Sequence, residues 1–167
     1  MRDIPRSRYL PLFHAIKKHT NIVSSGINDK IPVNDHDSIT IQDWWVAELI
    51  VEQREEYYSM VELSRMIGIP PSSFFRAVSH LQKAGLVEKY RIQGNKKNIV
   101  LRPTEKALTM YAKRSTEVRD EIWGDFFKEL DGFSDEEINT LTLAFNKLNN
   151  RLPSARYSQN IELIKVE

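Results

Sequence analysis

Ser59-Met-Val-Glu-Leu-Ser-Arg-Met-Ile-Gly68 runs directly into Ile69-Pro-Pro-Ser-Ser-Phe-Phe-Arg-Ala-Val-Ser-His-Leu-Gln-Lys-Ala-Gly85. Ser59 and Glu62 form a capping-box pattern: a hydroxyl and a carboxylate three residues apart satisfy the free N–H groups at a helix start. Leu63, Met66 and Ile67 are the apolar positions of that short helix, and Gly68 ends it. Pro70 and Pro71 start the next helix, because proline is tolerated where a helical N–H lacks a partner anyway. Phe74, Ala77, Val78 and Leu81 recur at helical spacing through Ala84. Gly85 then takes the position that follows a helix C-terminus. Two helices joined through Gly68-Ile69-Pro70-Pro71 have the length and glycine use of a helix-turn-helix.

A recognition helix needs one apolar face to dock on its domain and a small polar or basic face that can enter the major groove. The helix over 71–84 has both. Phe74, Ala77, Val78 and Leu81 face inward, leaving Ser72, Ser73, Arg76, Ser79, His80 and Lys83 outside and Phe75 partly exposed. The period then changes from helical to alternating. Leu86-Val-Glu-Lys-Tyr-Arg-Ile92 and Asn98-Ile-Val-Leu-Arg102 read as two strands around Gln93-Gly-Asn-Lys-Lys97, a hairpin with a basic tip.

Further out the chain is helical on both sides. Pro11, Leu12, Phe13, Ile16 and Val23 predict a helix over about 11–25, stopped at Gly26. Residues 27–38 read as a loop. Thr40 with Asp43 opens a helix through about residue 56 that carries Trp44, Ala47, Ile50 and Val51. Thr104 caps a long helix with Leu108, Tyr111, Ser115, Val118, Ile122 and Phe126 along one side. Ser134 and Glu137 form another capping box, before a helix repeating at Ile138, Leu141, Phe145, Leu148 and Leu152 that Pro153 stops. A tail with Ile161, Leu163, Ile164 and Val166 follows.

The net charge of +1 conceals an uneven distribution. Residues 59–102 hold eight basic side chains (Arg65, Arg76, Lys83, Lys89, Arg91, Lys96, Lys97, Arg102) against Glu62 and Glu88, a balance of +6. Residues 1–58 sum to −2 and residues 103–167 to −3. A basic middle on acidic flanks is the asymmetry of a polyanion-binding module. The chain has no cysteine, which removes disulfides, thiolate catalysis and thiolate metal sites. No apolar run approaches a membrane span and the N-terminus lacks a signal-peptide core, so the expectation is a cytoplasmic protein with no membrane partner.

The residues Val61-Glu-Leu-Ser-Arg-Met-Ile-Gly68, Ser72-Ser-Phe-Phe-Arg76, His80-Leu-Gln-Lys-Ala-Gly-Leu-Val87 and Arg102-Pro-Thr-Glu-Lys106 together resemble the multiple-antibiotic-resistance regulator (MarR) family. The helix order on both sides extends the resemblance over nearly the whole chain. It implies a mostly α fold with a small β-hairpin wing, a winged helix-turn-helix with N- and C-terminal dimerisation helices. The expected division is 1–38 for the arm, first dimerisation helix and loop, and 39–103 for the DNA-binding domain with recognition helix 71–84 and wing 86–102. Residues 104–167 would form the long connecting helix, the last dimerisation helix and the tail.

The resemblance also implies a homodimer on a pseudo-palindromic site and control by a small ligand between dimer interface and DNA-binding lobe. The ligand would be aromatic or phenolic, beside Phe13, His14, Trp44 and Tyr111. Core packing is the default reading of Trp44, and Trp45 lies about 100° away around the helix. Two positions depart from the family pattern. Asn95 and Lys97 stand where many members have an Asp-x-Arg pair whose arginine enters the minor groove, and a lysine lacks the planar fork favoured there. Pro70-Pro71 replaces the usual Ser or Thr cap.

The DNA-binding set expected is Ser72, Ser73, Phe75, Arg76, Ser79, His80, Lys83, Asn95, Lys96 and Lys97. Phosphate contacts would supply affinity and the helix specificity. Catalytic residues have no candidate: the chain has no Gly-rich phosphate loop, nucleophile elbow or His-Glu-x-x-His. His14 and His19 are five apart, the wrong spacing for a helical metal pair, which leaves only a zinc site built from His14 and distant carboxylates. No cofactor is called for. The expected function is a ligand-responsive dimeric repressor. The alternative is a winged-helix protein–protein adaptor, which an exposed Phe75 would suit.

Overall fold

The computed structural model describes residues 8–92, 95–118 and 123–150, with the backbone alone at 92, 95–98 and 116–118. Ile122, Leu152, Pro153 and the apolar tail positions lie outside the described residues. The chain divides into two compact units, Met1–Arg114 and Ser115–Glu167.

The first unit opens with α1 (Leu10–Gly26), which buries no residue. A short antiparallel pair follows, β1 (Lys30–Pro32) and β2 (Ser38–Thr40), with Ile31 opposite Ile39. Residues 27–38, expected as a loop, thus contribute β1 and the first residue of β2. The turn between the strands is shaped by Asn34, whose Oδ1 accepts the N–H groups of His36 (2.8 Å) and Asp37 (2.7 Å), and both isoleucines are buried. Strands of three residues are too short to display a period, so nothing in the pattern announced them.

Helix α2 (Ile41–Glu52) begins at the expected Thr40 cap, which proves to be a full capping box: Thr40 Oγ1 accepts the Asp43 N–H, and the Asp43 carboxylate accepts the Thr40 N–H, both at 3.0 Å. It ends four residues before the expected limit. This helix touches β1, β2, α3 (Met60–Ile67), α4 (Pro71–Lys83) and β4 (Asn95–Pro103). It therefore buries Trp44, Val46, Ala47, Ile50 and Val51 around much of its circumference instead of along one stripe.

The α3–α4 pair is the helix-turn-helix. Ser59 and Glu62 cap α3 reciprocally, and Gly68 ends it at φ +75°. Gly85, past the end of α4, sits at φ +72°. Only glycine reaches this left-handed region without steric cost. Pro70 gives α4 no side-chain cap, as its chemistry dictates. The wing, β3 (Val87–Ile92) with β4, pairs Val87 with Pro103 and Arg91 with Ile99, then shifts register beside Ile92.

Helix α5 (Glu105–Val118) is pinned to the end of α4 by its first residues. Thr104 Oγ1 donates to the Gly85 carbonyl (2.8 Å) and accepts the Ala107 N–H (3.2 Å). Lys106 Nζ donates to the Ala84 carbonyl (2.9 Å), a cation at a helix C-terminus.

In the second unit, α6 (Gly124–Leu130) carries Phe126, the last position of the line expected along the long helix. Gly124, a poor interior helix residue, stands at the start of α6. Helix α7 (Asp135–Asn149) has the expected Ser134–Glu137 capping box. Neither α6 nor α7 buries a residue. No described helix is long and apolar enough to cross a membrane.

Candidate nucleic-acid interface

The recognition surface is made by what α4 buries. Phe74, Ala77, Val78 and Leu81 are 0–2% exposed, which fixes the helix against α2 and α3 and turns its other side outward. Ser72, Phe75, Arg76, Ser79, His80 and Lys83 are exposed, and Ser73 is half-buried. Ser79 Oγ donates to the Phe75 carbonyl (3.0 Å), which occupies its hydrogen within the helix. Arg76 and Lys83 have no ion-pair or hydrogen-bond partner among the described residues. An unpaired guanidinium on an outward helix face keeps all five donors available to a phosphate or a guanine edge.

His80 differs from its neighbours. Its Nδ1 lies 3.3 Å from Oδ2 of Asp43, a residue only 4% exposed, while the imidazole is half-exposed. The side chains of Asn95, Lys96 and Lys97 lie outside the described residues.

Two basic residues missing from the expected DNA-binding set, Lys89 and Arg91, are exposed on β3. Their place on a strand of a basic hairpin was the signal that could have found them. Arg102, counted in the basic cluster, is structural instead. Its Nη1 donates to the carbonyls of Glu56 (2.8 Å) and Leu101 (3.0 Å), and its guanidinium lies 5.1 Å from the centre of the Tyr57 ring. Tyr90 is exposed and donates its hydroxyl to Glu88 (2.6 Å), which holds the phenol above its ordinary pKa by hydrogen bond and charge.

The residues expected around a ligand form two pairs. Phe13 and His14 are exposed neighbours on α1, with ring centres 6.1 Å apart. Trp44 is buried and stacks on Tyr111 of α5 at 6.5 Å. No ring contact joins the pairs among the described residues.

Beside Trp44 the structure adds three residues that the sequence reading passed over. The Arg114 guanidinium lies 5.5 Å from the indole ring. Its Nε is a buried donor without a hydrogen-bond acceptor among the described residues, and the buried Trp44 Nε1–H lies near the Glu48 carboxylate without closing a short hydrogen bond. Burial holds the Glu48 carboxyl above the usual carboxylate range, helped by the Glu52 charge and opposed by the indole donor and Arg114. Tyr111 is raised by burial and then by Glu52 and Glu48, with its hydroxyl 3.5 Å from Glu52 Oε1. The signal was spacing: Trp44, Glu48 and Glu52 follow at i, i+4 and i+8, one face of a helix. Among the described residues, no group of three or more His, Cys, Asp or Glu side chains could hold a metal ion.

A capped short helix, a glycine turn, a docked second helix and a β-hairpin define a winged helix-turn-helix. No protein-family model matches the sequence, and no curated protein is similar to it at a significant level. Solved structures are similar in fold. CouR from Rhodococcus jostii RHA1, bound to p-coumaroyl-CoA, superposes with a TM-score of 0.64 at 17% identity, over 91% of this chain and 98% of that one. FabT from Streptococcus pneumoniae, in complex with DNA, gives 0.59 at 16% identity, over 88% and 99%. A MarR-family transcriptional regulator from Rhodococcus sp. RHA1 gives 0.59 at 16%, over 86% and 96%. The chain thus has the MarR-type winged-helix fold.

Proposed function

We propose that this protein is a sequence-specific DNA-binding transcriptional regulator, not an enzyme, working in the cytoplasm as a homodimer on a pseudo-palindromic operator. The observation that carries the reading is the outward face of α4, where an unpartnered Arg76 stands among Ser72, Ser73 and Lys83 while the opposite face is fully docked. Exposed Lys89 and Arg91 on the wing supply further phosphate contacts. FabT, similar in fold, was solved with DNA. Residues 39–103 are the reading domain in this proposal. Helix α1 and the segment after residue 104 supply the dimer contacts.

Repression is released by an aromatic or phenolic effector that engages Trp44 and Tyr111, with Phe13 and His14 at its outer side. The buried Arg114 Nε–H, a donor without an acceptor among the described residues, supports a ligand that brings an oxygen. CouR, similar in fold, was solved with p-coumaroyl-CoA. Exposed Phe75 favours a second reading, a winged-helix adaptor that uses α4 to bind a protein.

The deciding experiment is selection from random duplex DNA read by fluorescence polarisation, across a salt series and with Arg76→Ala. Enrichment of an inverted repeat, a steep salt slope and loss of selection in the variant are expected. Salt-independent or absent binding by the wild type rejects the regulator and leaves the adaptor.

A further inference from the structure

We propose that His80 does not read DNA but positions the recognition helix, acting through Asp43. This rests on the DNA-binding reading of α4 given above. Among the described residues, the His80–Asp43 contact is the one polar side-chain pair joining α4 to another element. Asp43 is suited to anchor it. Its carboxylate is buried at the start of α2, where Oδ2 also accepts the Thr40 N–H at 3.0 Å. The capping box therefore holds the carboxylate in place before His80 arrives.

Apolar packing by Phe74, Ala77, Val78 and Leu81 holds α4 on the core, but dispersion and hydrophobic burial have little directional preference. A hydrogen bond does have one. A polar contact in the last turns of α4 fixes the helix's rotation about its own axis. Ser72, Ser73 and Arg76 share that axis one to two turns earlier, so a rotation at His80 swings them as well. The cleft around the pair, about 200 Å³, is lined also by Lys30, Lys83, Asp37 and Ser38. Its charged groups are thus two ammoniums and two carboxylates.

The two ring nitrogens make the idea testable in the full-length protein. Asparagine places its amide nitrogen near the Nδ1 position, and glutamine places its own near Nε2. His80→Asn should keep affinity for the selected operator within about twofold. His80→Gln and His80→Ala should lose roughly three- to tenfold, the scale of one half-exposed charge-assisted hydrogen bond. Binding to unrelated duplex should stay unchanged in all three. In urea unfolding, His80→Ala and Asp43→Ala should be non-additive, and the double-variant cycle cancels the damage to the α2 cap.

Wild-type affinity in His80→Gln with loss in His80→Asn would mean that Nε2 meets DNA, and overturns the proposal. Additive unfolding effects overturn it too, because no tie would then exist. A wild type that binds no duplex rejects the regulator reading and the positioning role together, and the unfolding cycle still reports the tie by itself.

Discussion

The winged core and the helices at either end of the described chain are built from similar residues and finished differently. From Ile31 to Ala107 the structure closes a core around Trp44, Phe74, Val78, Leu81 and Leu86, all at most 4% exposed. Helices α1, α6 and α7 each bury nothing, yet they carry Leu12, Phe13, Ile22, Phe126, Phe127, Leu143, Phe145 and Leu148 exposed. Caps alone do not sustain helices of this length in water, and packing of an amphipathic face normally does. The difference teaches that the core can stand as one folding unit, whereas the flanking helices present faces that, in the proposed dimer, a second copy covers.

The largest test of that contrast lies in the core. Phe74→Ala should cost about 3–5 kcal/mol in urea unfolding, since it leaves a cavity under a fully buried ring. The matched change outside it, Phe145→Glu on α7, should leave the core's circular dichroism intact and convert the dimer to monomer in sedimentation. A Phe145→Glu protein that stays dimeric would break the comparison.

Arg76→Ala should weaken operator binding by about 1–3 kcal/mol and move unfolding by no more than about 0.5 kcal/mol, which separates interface from core. The same capping box occurs on both sides of the contrast, at Ser59–Glu62 and at Ser134–Glu137. Ser59→Ala should lower the melting temperature by about 4 °C, and Ser134→Ala by clearly less at low protein concentration. Hydrogen bonds from the serines hold Glu62 and Glu137 below the ordinary 4.5. Their contribution is therefore present above that value and fades as pH falls through the lowered one.

The smallest expected effect belongs to Glu48, whose raised pKa has the opposite sense. Its contribution is complete below 4.5 and declines as pH rises through the raised value. Glu48→Gln should thus gain a few tenths of a kcal/mol at pH 7, an amount discounted for solvent screening. A variant less stable at pH 7 than at pH 4, relative to wild type, would contradict the burial account.

What could be read from the sequence was local. Two capping boxes, the Thr40 cap, the glycines that end α3 and α4 and the inward set of α4 are each written within a few residues, so reading them needs no knowledge of the fold. The β1–β2 pair, the Asp43–His80 contact and the Trp44–Arg114 approach join residues far apart in the chain. A capping pattern at Thr40 accounted for Asp43 completely and concealed its second partner. Arg102 shows the converse: its charge counted towards the basic middle of the chain, and only the positions of Glu56 and Tyr57 reveal a structural contact.

The glycines that bracket α4 have one further consequence, concerning handedness. Gly68 and Gly85 hold φ values of +75° and +72°, and nothing lies within 4 Å of a Cβ built on either. The obstacle to a side chain there is chirality, not room. A D-alanine introduced by chemical ligation would occupy both positions without strain and would narrow the unfolded ensemble, so it should stabilise the domain where L-alanine destabilises it. The turns on either side of α4 are, at those two residues, a mirror-image backbone that ribosomal synthesis can supply only by leaving the side chain off.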